Sequence, residues 1–311
     1  MAHSLPAKCC LERVNPNPHS KMSETPPTPQ TAPFPRPGSS LSHAARLVPP
    51  AHRPALTCWL NWWHETARIP LEVQDPGVAE SKLGWWLQEL QAAERGQASH
   101  PLMRQRLSLT LPDGASWPST ADCRLQVEGL MQLVHQNRWM DESQVVQHAQ
   151  QTTGLACQGA VGLLGVDSDA ARQAARQLGT GLRLAHRLAR LGQDSRAGWV
   201  MVGIDLLQTH DVKAHQLVKP VAGQTPPGWQ PLLADLAQRA RQPLLDSLAE
   251  IRRLPATQAR ALRPLVLLGH LALAQVEVVA SAGDSVLHQR LMPTPLRKAW
   301  IAQRVAWGWL R

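Results

Sequence analysis

The sequence contains no tyrosine and a single phenylalanine, Phe34, against 12 tryptophans in 311 residues. Indole rings therefore stand where other chains use phenyl or phenol. Its cysteines, Cys9, Cys10, Cys58, Cys123 and Cys157, follow no CxxC or paired spacing, which excludes a disulfide framework and a cysteine zinc site and fits a reducing cytoplasm. Cys58, Cys123 and Cys157 lie among apolar neighbours and are predicted to be buried small hydrophobes. No serine sits in a GxSxG context. The histidines are scattered, none in an HxxxH with a carboxylate, and His148 and His270 read as packed helix residues. No alternating apolar–polar run of useful length and no internal repeat is present, so an all-α chain is predicted. The N-terminal residues lack the apolar core of a signal peptide. The longest apolar stretch, Leu262 to Ala282, includes Arg263, His270, Gln275 and Glu277, too polar for an easy membrane span. It is read as a buried helix.

What is present points the same way. A hydrophobic content of 43% supports a sizeable core. The net charge of +9 suits an anionic partner, a diphosphate or an acidic membrane surface. Without a Lys/Arg run interleaved with aromatics, charge is the sole argument for nucleic acid, and no such partner is expected. Residues 1–40 are rich in Pro, Ser and Thr and are predicted to form a disordered tail, with Met22 as a second candidate start. Residues 41–311 form one helical domain in this reading.

Helices are predicted from Pro54 to Glu72, from the Asp75-Pro76 cap to Arg95, from His100-Pro101 to Leu107, and over Ala121–Gln136. A further one runs from Asp141 to Leu164, and others cover Gln230–Arg253, Ala256–Ser281 and Ser285–Leu291, with a last one from Thr294 to Trp307. Pro70 is expected to disturb the first of these.

The helix opening at Asp167 or Ser168 carries the most information. Leu178, Leu182, Ala185, Leu188 and Leu191 form its apolar face; Arg183, His186, Arg187, Arg190 and Asp194 form a charged row at helical spacing. Such a row is either a solvated face with an Arg190–Asp194 pair or the polar wall of an interior cavity.

From Leu178-Gly179 through Gly192, Asp194, Gly198 and Asp205, this stretch resembles the second aspartate-rich motif of the squalene/phytoene synthase family, LGxxxQxxNxxRDxxEDxxxGRxYxPxD. Gly38-Ser39-Ser40 resembles the GSS segment of its bacterial squalene synthase branch. Glu72-Val73-Gln74-Asp75-Pro76, with Lys82-Leu83-Gly84-Trp85-Trp86 and Glu89-Leu90, resembles DEVSDPxxAxxKLxWWxxEL. Gly96 and His100-Pro101 match G…HP; Val127-Glu128-Gly129 with Arg138-Trp139-Met140-Asp141 resembles IDGMxxDLxxxRYxD; Thr294-Pro295-Leu296-Arg297-Lys298 resembles TPLRK.

The resemblance implies an all-α isoprenoid-synthase fold around a central cavity. It also implies head-to-head joining of two prenyl diphosphates, with Mg²⁺ held by two DxxxD motifs on facing helices. Here the first motif falls on Ala67 to Glu72, with Ala67 and Leu71 in place of its aspartates. The second has Arg190 for its first aspartate and His186 and Arg183 for the Asn and Gln before it. Asp194 is the one remaining DxxxD carboxylate, Glu65 and Glu72 are remnants beside the first motif, and His64 replaces the preceding Arg. Trp139 and Met201 both stand at tyrosine positions.

Two functions follow. In the first, transferase activity is lost or reduced, and the protein is an isoprenoid-binding or accessory protein. Its prenyl diphosphate would then be held by Arg183, His186, Arg187, Arg190 and His64, with Trp62 and Trp63 as cavity wall. In the alternative, it is an active Mg²⁺-dependent farnesyl diphosphate transferase with an unusual site. Arg190 pairing with Asp194 or Glu72 is the structural reading beside both. A cytoplasmic protein, peripheral to the inner membrane if its partners include a membrane surface, fits either.

Overall fold

The computed structural model describes residues 34–221 and 223–310. The expected tail lies outside the described residues up to position 33; Phe34 onward belongs to the compact unit. Among the described residues there is no strand, and β-pairing is limited to the isolated bridges Trp139–Gly203 and Val221–Gln224. The fold is all-α.

In chain order the helices are α1 (Ser40–Arg46), α2 (Arg53–Glu72), α3 (Pro76–Glu94), α4 (Pro101–Ser108), α5 (Thr120–His135), α6 (Glu142–Ala149) and α7 (Leu155–Leu163). There follow α8 (Asp169–Arg196), α9 (Ile204–Thr209), α10 (Ala214–Val218), α11 (Trp229–Arg253), α12 (Ala256–Ala261), α13 (Arg263–Ala282), α14 (Ser285–His288) and α15 (Pro295–Ala306). The starts are set by capping side chains. Asp75, Ser119, Asp141, Ser168 and Thr294 each accept from a backbone N–H three residues on, relieving one orphan donor of the first turn. Buried Glu89 accepts from the backbone N–H of Ser99 and of His100, each at 2.7 Å, and so ties α3 to the start of α4.

Two boundaries differ from the sequence reading, and the disturbance expected at Pro70 does not interrupt its helix. Pro70 lies in the last turn of α2, and the helix runs on to Glu72. The expected helix from Asp141 to Leu164 is divided by a wide π-type turn, Gln150–Gly154. The expected helix Ala256–Ser281 breaks at Leu262, because Pro264 lies in the first turn of α13, where its missing N–H costs nothing.

α8 is the centre, packed by α7, α11, α13, α14 and the wide turn. Two glycines permit the approach. A Cβ at Gly179 would lie 2.4 Å from the Thr153 carbonyl oxygen, and one at Gly192 would lie 2.1 Å from that of Leu287. Cys58, Cys123 and Cys157 are buried, and burial lifts the Cys157 thiol to about 12, so they are apolar filling. α13 is the one described helix long and apolar enough to cross a membrane; half of its apolar window is buried against its neighbours.

Candidate functional site

A cavity of about 360 Å³ lies among α1, α2, α7, α8 and α13. Its walls are mostly apolar, with Leu41, Leu60, Trp63, Ala160, Leu268 and Ala272 among them. Ala67 and Leu71 of α2 also line it. Four residues apart, they share a helix face and present only methyl groups to this space, Leu71 at its open rim.

The polar contribution comes chiefly from α8. Arg183 and His186, three residues apart, line the same cavity, with Thr153 of the wide turn and Gln275 of α13. Nε of Arg183 is buried without a hydrogen-bond partner. Burial, opposed by Asp194, lowers the pKa of this guanidinium below its usual value. His186 is pushed down to about 3, first by burial and then by Arg183, Arg190 and Arg290, so its imidazole is neutral.

The rest of the charged row separates by role. Arg190 donates from Nε to Oδ1 of Asp194 at 3.1 Å, one helical turn away. Arg187 is committed elsewhere: it forms a buried ion pair with Glu142, and its Nη1 donates to the Met201 carbonyl at 2.7 Å. Glu142 also accepts from the backbone N–H of Gly203 at 3.1 Å. Arg187 is thus a strut between α8 and α6, which corrects its assignment as a ligand-binding residue.

The first-motif remnants also lie outside the cavity lining. Glu65 and Glu72 line a separate surface pocket, and Glu72 pairs with Arg68 at 3.4 Å rather than with Arg190. The His64 ring stacks on Phe34, centroids 4.1 Å apart. Trp62 is 3% exposed and stacks on Trp59 at 4.9 Å, in the core rather than on the cavity wall, whereas Trp63 does line the cavity.

The sequence reading missed Arg290 and Lys298. Burial, then Arg190, lowers the Arg290 pKa, while Asp194 raises it; burial, then Arg290, lowers that of Lys298. His43 of α1 is lowered by burial and by Arg46 and Lys298. Arg183, Arg190, Arg290 and Lys298 form one electropositive region around neutral His186, offset by Asp194. Lys298 lies inside the TPLRK segment, so its motif was visible, but nothing in the chain order placed it near Arg290 and His43.

The residues present do not fit a Mg²⁺ cluster. Hard Mg²⁺ needs oxygen ligands, yet Ala67 and Leu71 offer none and Asp194 is engaged by Arg190. No group of three or more His, Cys, Asp or Glu side chains among the described residues could hold a metal ion.

The sequence model described as squalene/phytoene synthase matches residues 34–297. The chain belongs to the squalene/phytoene synthase family. No curated protein matches it by direct sequence comparison. Among solved structures, a dehydrosqualene synthase crystallised with ligand superposes with a TM-score of 0.72 at 14% identity, over 87% of this chain and 91% of that one. Squalene synthase HpnC from Alicyclobacillus acidocaldarius gives 0.66 at 16% identity, over 78% and 88%. YisP from Bacillus subtilis gives 0.60 at 15%, over 85% and 89%. At these identities the structures establish the fold. This squalene/phytoene synthase family member has Arg183 and His186 in the cavity wall, with Arg190 and Arg290 close enough to act on His186.

Proposed function

We propose that this family member binds one elongated isoprenoid with an anionic head, such as a prenyl diphosphate, and does not join two of them. The carrying observation is the cavity itself: Ala67 and Leu71 stand at the metal-binding positions, and the unpartnered Arg183 and neutral His186 share the same space. A buried donor without a partner costs about 1–3 kcal/mol, a cost that an anionic ligand oxygen at Arg183 would remove. Neutral His186 can donate or accept there, and Arg190 and Arg290 add positive potential. The volume of about 360 Å³ is near the lower end of small-molecule pockets, roughly 300–1,000 Å³, which favours one chain over two. With Ala67, Leu71 and Arg190 at three motif positions and Asp194 paired to Arg190, too few carboxylates are left to hold Mg²⁺ for a departing diphosphate.

The test is incubation of the purified protein with farnesyl diphosphate and Mg²⁺, with and without NADPH, alongside a binding titration of farnesyl diphosphate in excess chelator. Saturable binding that survives chelation, with no presqualene diphosphate or squalene, is the expected result. Product formation would overturn the loss of transfer chemistry. Absence of binding would overturn the ligand.

A further inference from the structure

The surface of α15 carries a second feature, independent of what fills the cavity. Large apolar residues are exposed together along this helix and the turn after it: Leu296 at 84%, Trp300 and Trp307 at 53%, and Trp309 at 64%. The rings touch one another, Trp300 edge-on to Trp307 at 6.3 Å and Trp307 against Trp309 at 4.7 Å. Elsewhere the indoles of Trp59, Trp62, Trp86, Trp139 and Trp229 are buried. Contiguous exposure of this kind marks an interaction surface.

The charge beside it is mostly positive. From Ser285 to the last residue the sequence holds five Lys and Arg residues and no Asp or Glu, and of these Arg297 and Arg304 line the groove beside Trp300. A shallow groove of about 300 Å³ next to Trp300 is lined by Arg241, His270, Arg297, Arg304 and Leu310. Its carboxylate, Glu277, is paired with Arg297 at 2.6 Å. Trp, with an apolar body and one N–H, partitions to the boundary between headgroups and acyl chains, and flanking arginines meet anionic headgroups.

From this we infer that the α15 face docks on an anionic lipid bilayer, with Trp300, Trp307 and Trp309 at the headgroup boundary and Arg304 against lipid phosphates. α13 is the shared wall. Leu265, Leu268 and Ala272 on one face line the cavity, while His270, Leu273 and Ala274 line the groove beside Trp300.

Co-sedimentation with vesicles of phosphatidylglycerol and phosphatidylcholine, against pure phosphatidylcholine, tests this. The full chain should pellet with anionic vesicles, less so at high salt, and hardly with neutral ones. Brominated acyl chains should quench part of its fluorescence. Replacing Trp300, Trp307 and Trp309 together with Ser should weaken binding at least about ten-fold and abolish the quenching, with circular dichroism unchanged. Should that triple variant fold poorly, Trp309→Ser alone should lower the quenching, and Arg304→Glu should reduce anionic-vesicle binding. No pelleting, or pelleting and quenching unchanged in the variants, would overturn the inference. So would a dimer dispersed by the Trp substitutions in a protein that ignores vesicles, which would assign the face to a second copy of the chain.

Discussion

The indole N–H of Trp139 donates to the sulfur of Met201 at 3.3 Å, both side chains at most 5% exposed. The two are 62 positions apart in sequence, and the resemblance to the family pattern puts both at tyrosine positions. Two substitutions that look independent are thus one packed unit, with the polar end of the indole met by a soft acceptor. Met201→Leu would leave the buried N–H unpaired, at a cost of about 1–3 kcal/mol. Trp139→Phe removes that donor. A double-mutant cycle by denaturant unfolding is expected to give a coupling of about 0.5–1.5 kcal/mol between them. Strict additivity would show that the contact contributes packing alone.

Arg187 and Glu142 form a second buried unit, each side chain 3% exposed. Removing one partner of such a pair costs about 3–5 kcal/mol because the other charge stays buried. Arg187→Leu is therefore expected to lower the melting temperature by about 10 °C or more, as read by calorimetry. Replacing both residues with apolar ones should recover much of that loss. A stable, ligand-blind Arg187→Leu protein would return this residue to the ligand.

Arg183 should behave in the opposite way. Its Nε has no partner, so Arg183→Met is expected to leave the melting temperature of the ligand-free protein unchanged or higher. Affinity for farnesyl diphosphate should fall about ten- to hundred-fold, the worth of a hydrogen bond to a charged group. Parallel thermal melts and titrations decide between this and a structural role, in which stability would fall and affinity would not.

Acid sensitivity follows from two histidines, His148 in the core and the half-buried His186 in the cavity wall. His148 and His186 are both held at about 3, first by burial. Below pH 6.5 the unfolded chain takes up protons at these residues and the folded chain does not, so stability is complete above pH 6.5 and falls as the pH drops toward 3. Each histidine contributes a slope of roughly 1 kcal/mol per pH unit in that window. Unfolding measured at pH 7.5 and pH 5.5 should show the loss, and His148→Leu should reduce the slope. A flat profile in this window would mean that the imidazoles are already accessible to protons.

The line between what was legible and what was not falls at long-range contact. Capping residues such as Asp75, Ser168 and Thr294 announced helix starts because they act within one turn. The end of α2 at Glu72 was legible too, and Pro70 leaves the helix intact because in the last turn it leaves few hydrogen bonds to lose. The wide turn at Gln150–Gly154 gave no periodic signal, since one extra residue barely alters an apolar stretch.

The sequence by itself determined the all-α class and the family, because residue identity and short spacing carry those facts. Tertiary structure alone decided which of the charged row meets the cavity. Arg183, Arg187 and Arg190 are neighbours on one helix and chemically identical. Glu142 takes one, Asp194 takes another, and Arg183 is left facing the cavity, because α6 and the turn before α9 converge on a single turn of α8. Packing likewise brought Arg290 and Lys298, about a hundred positions downstream, to the same basic region as Arg183 and His186. An electrostatic field sums over space, and chain order does not record it.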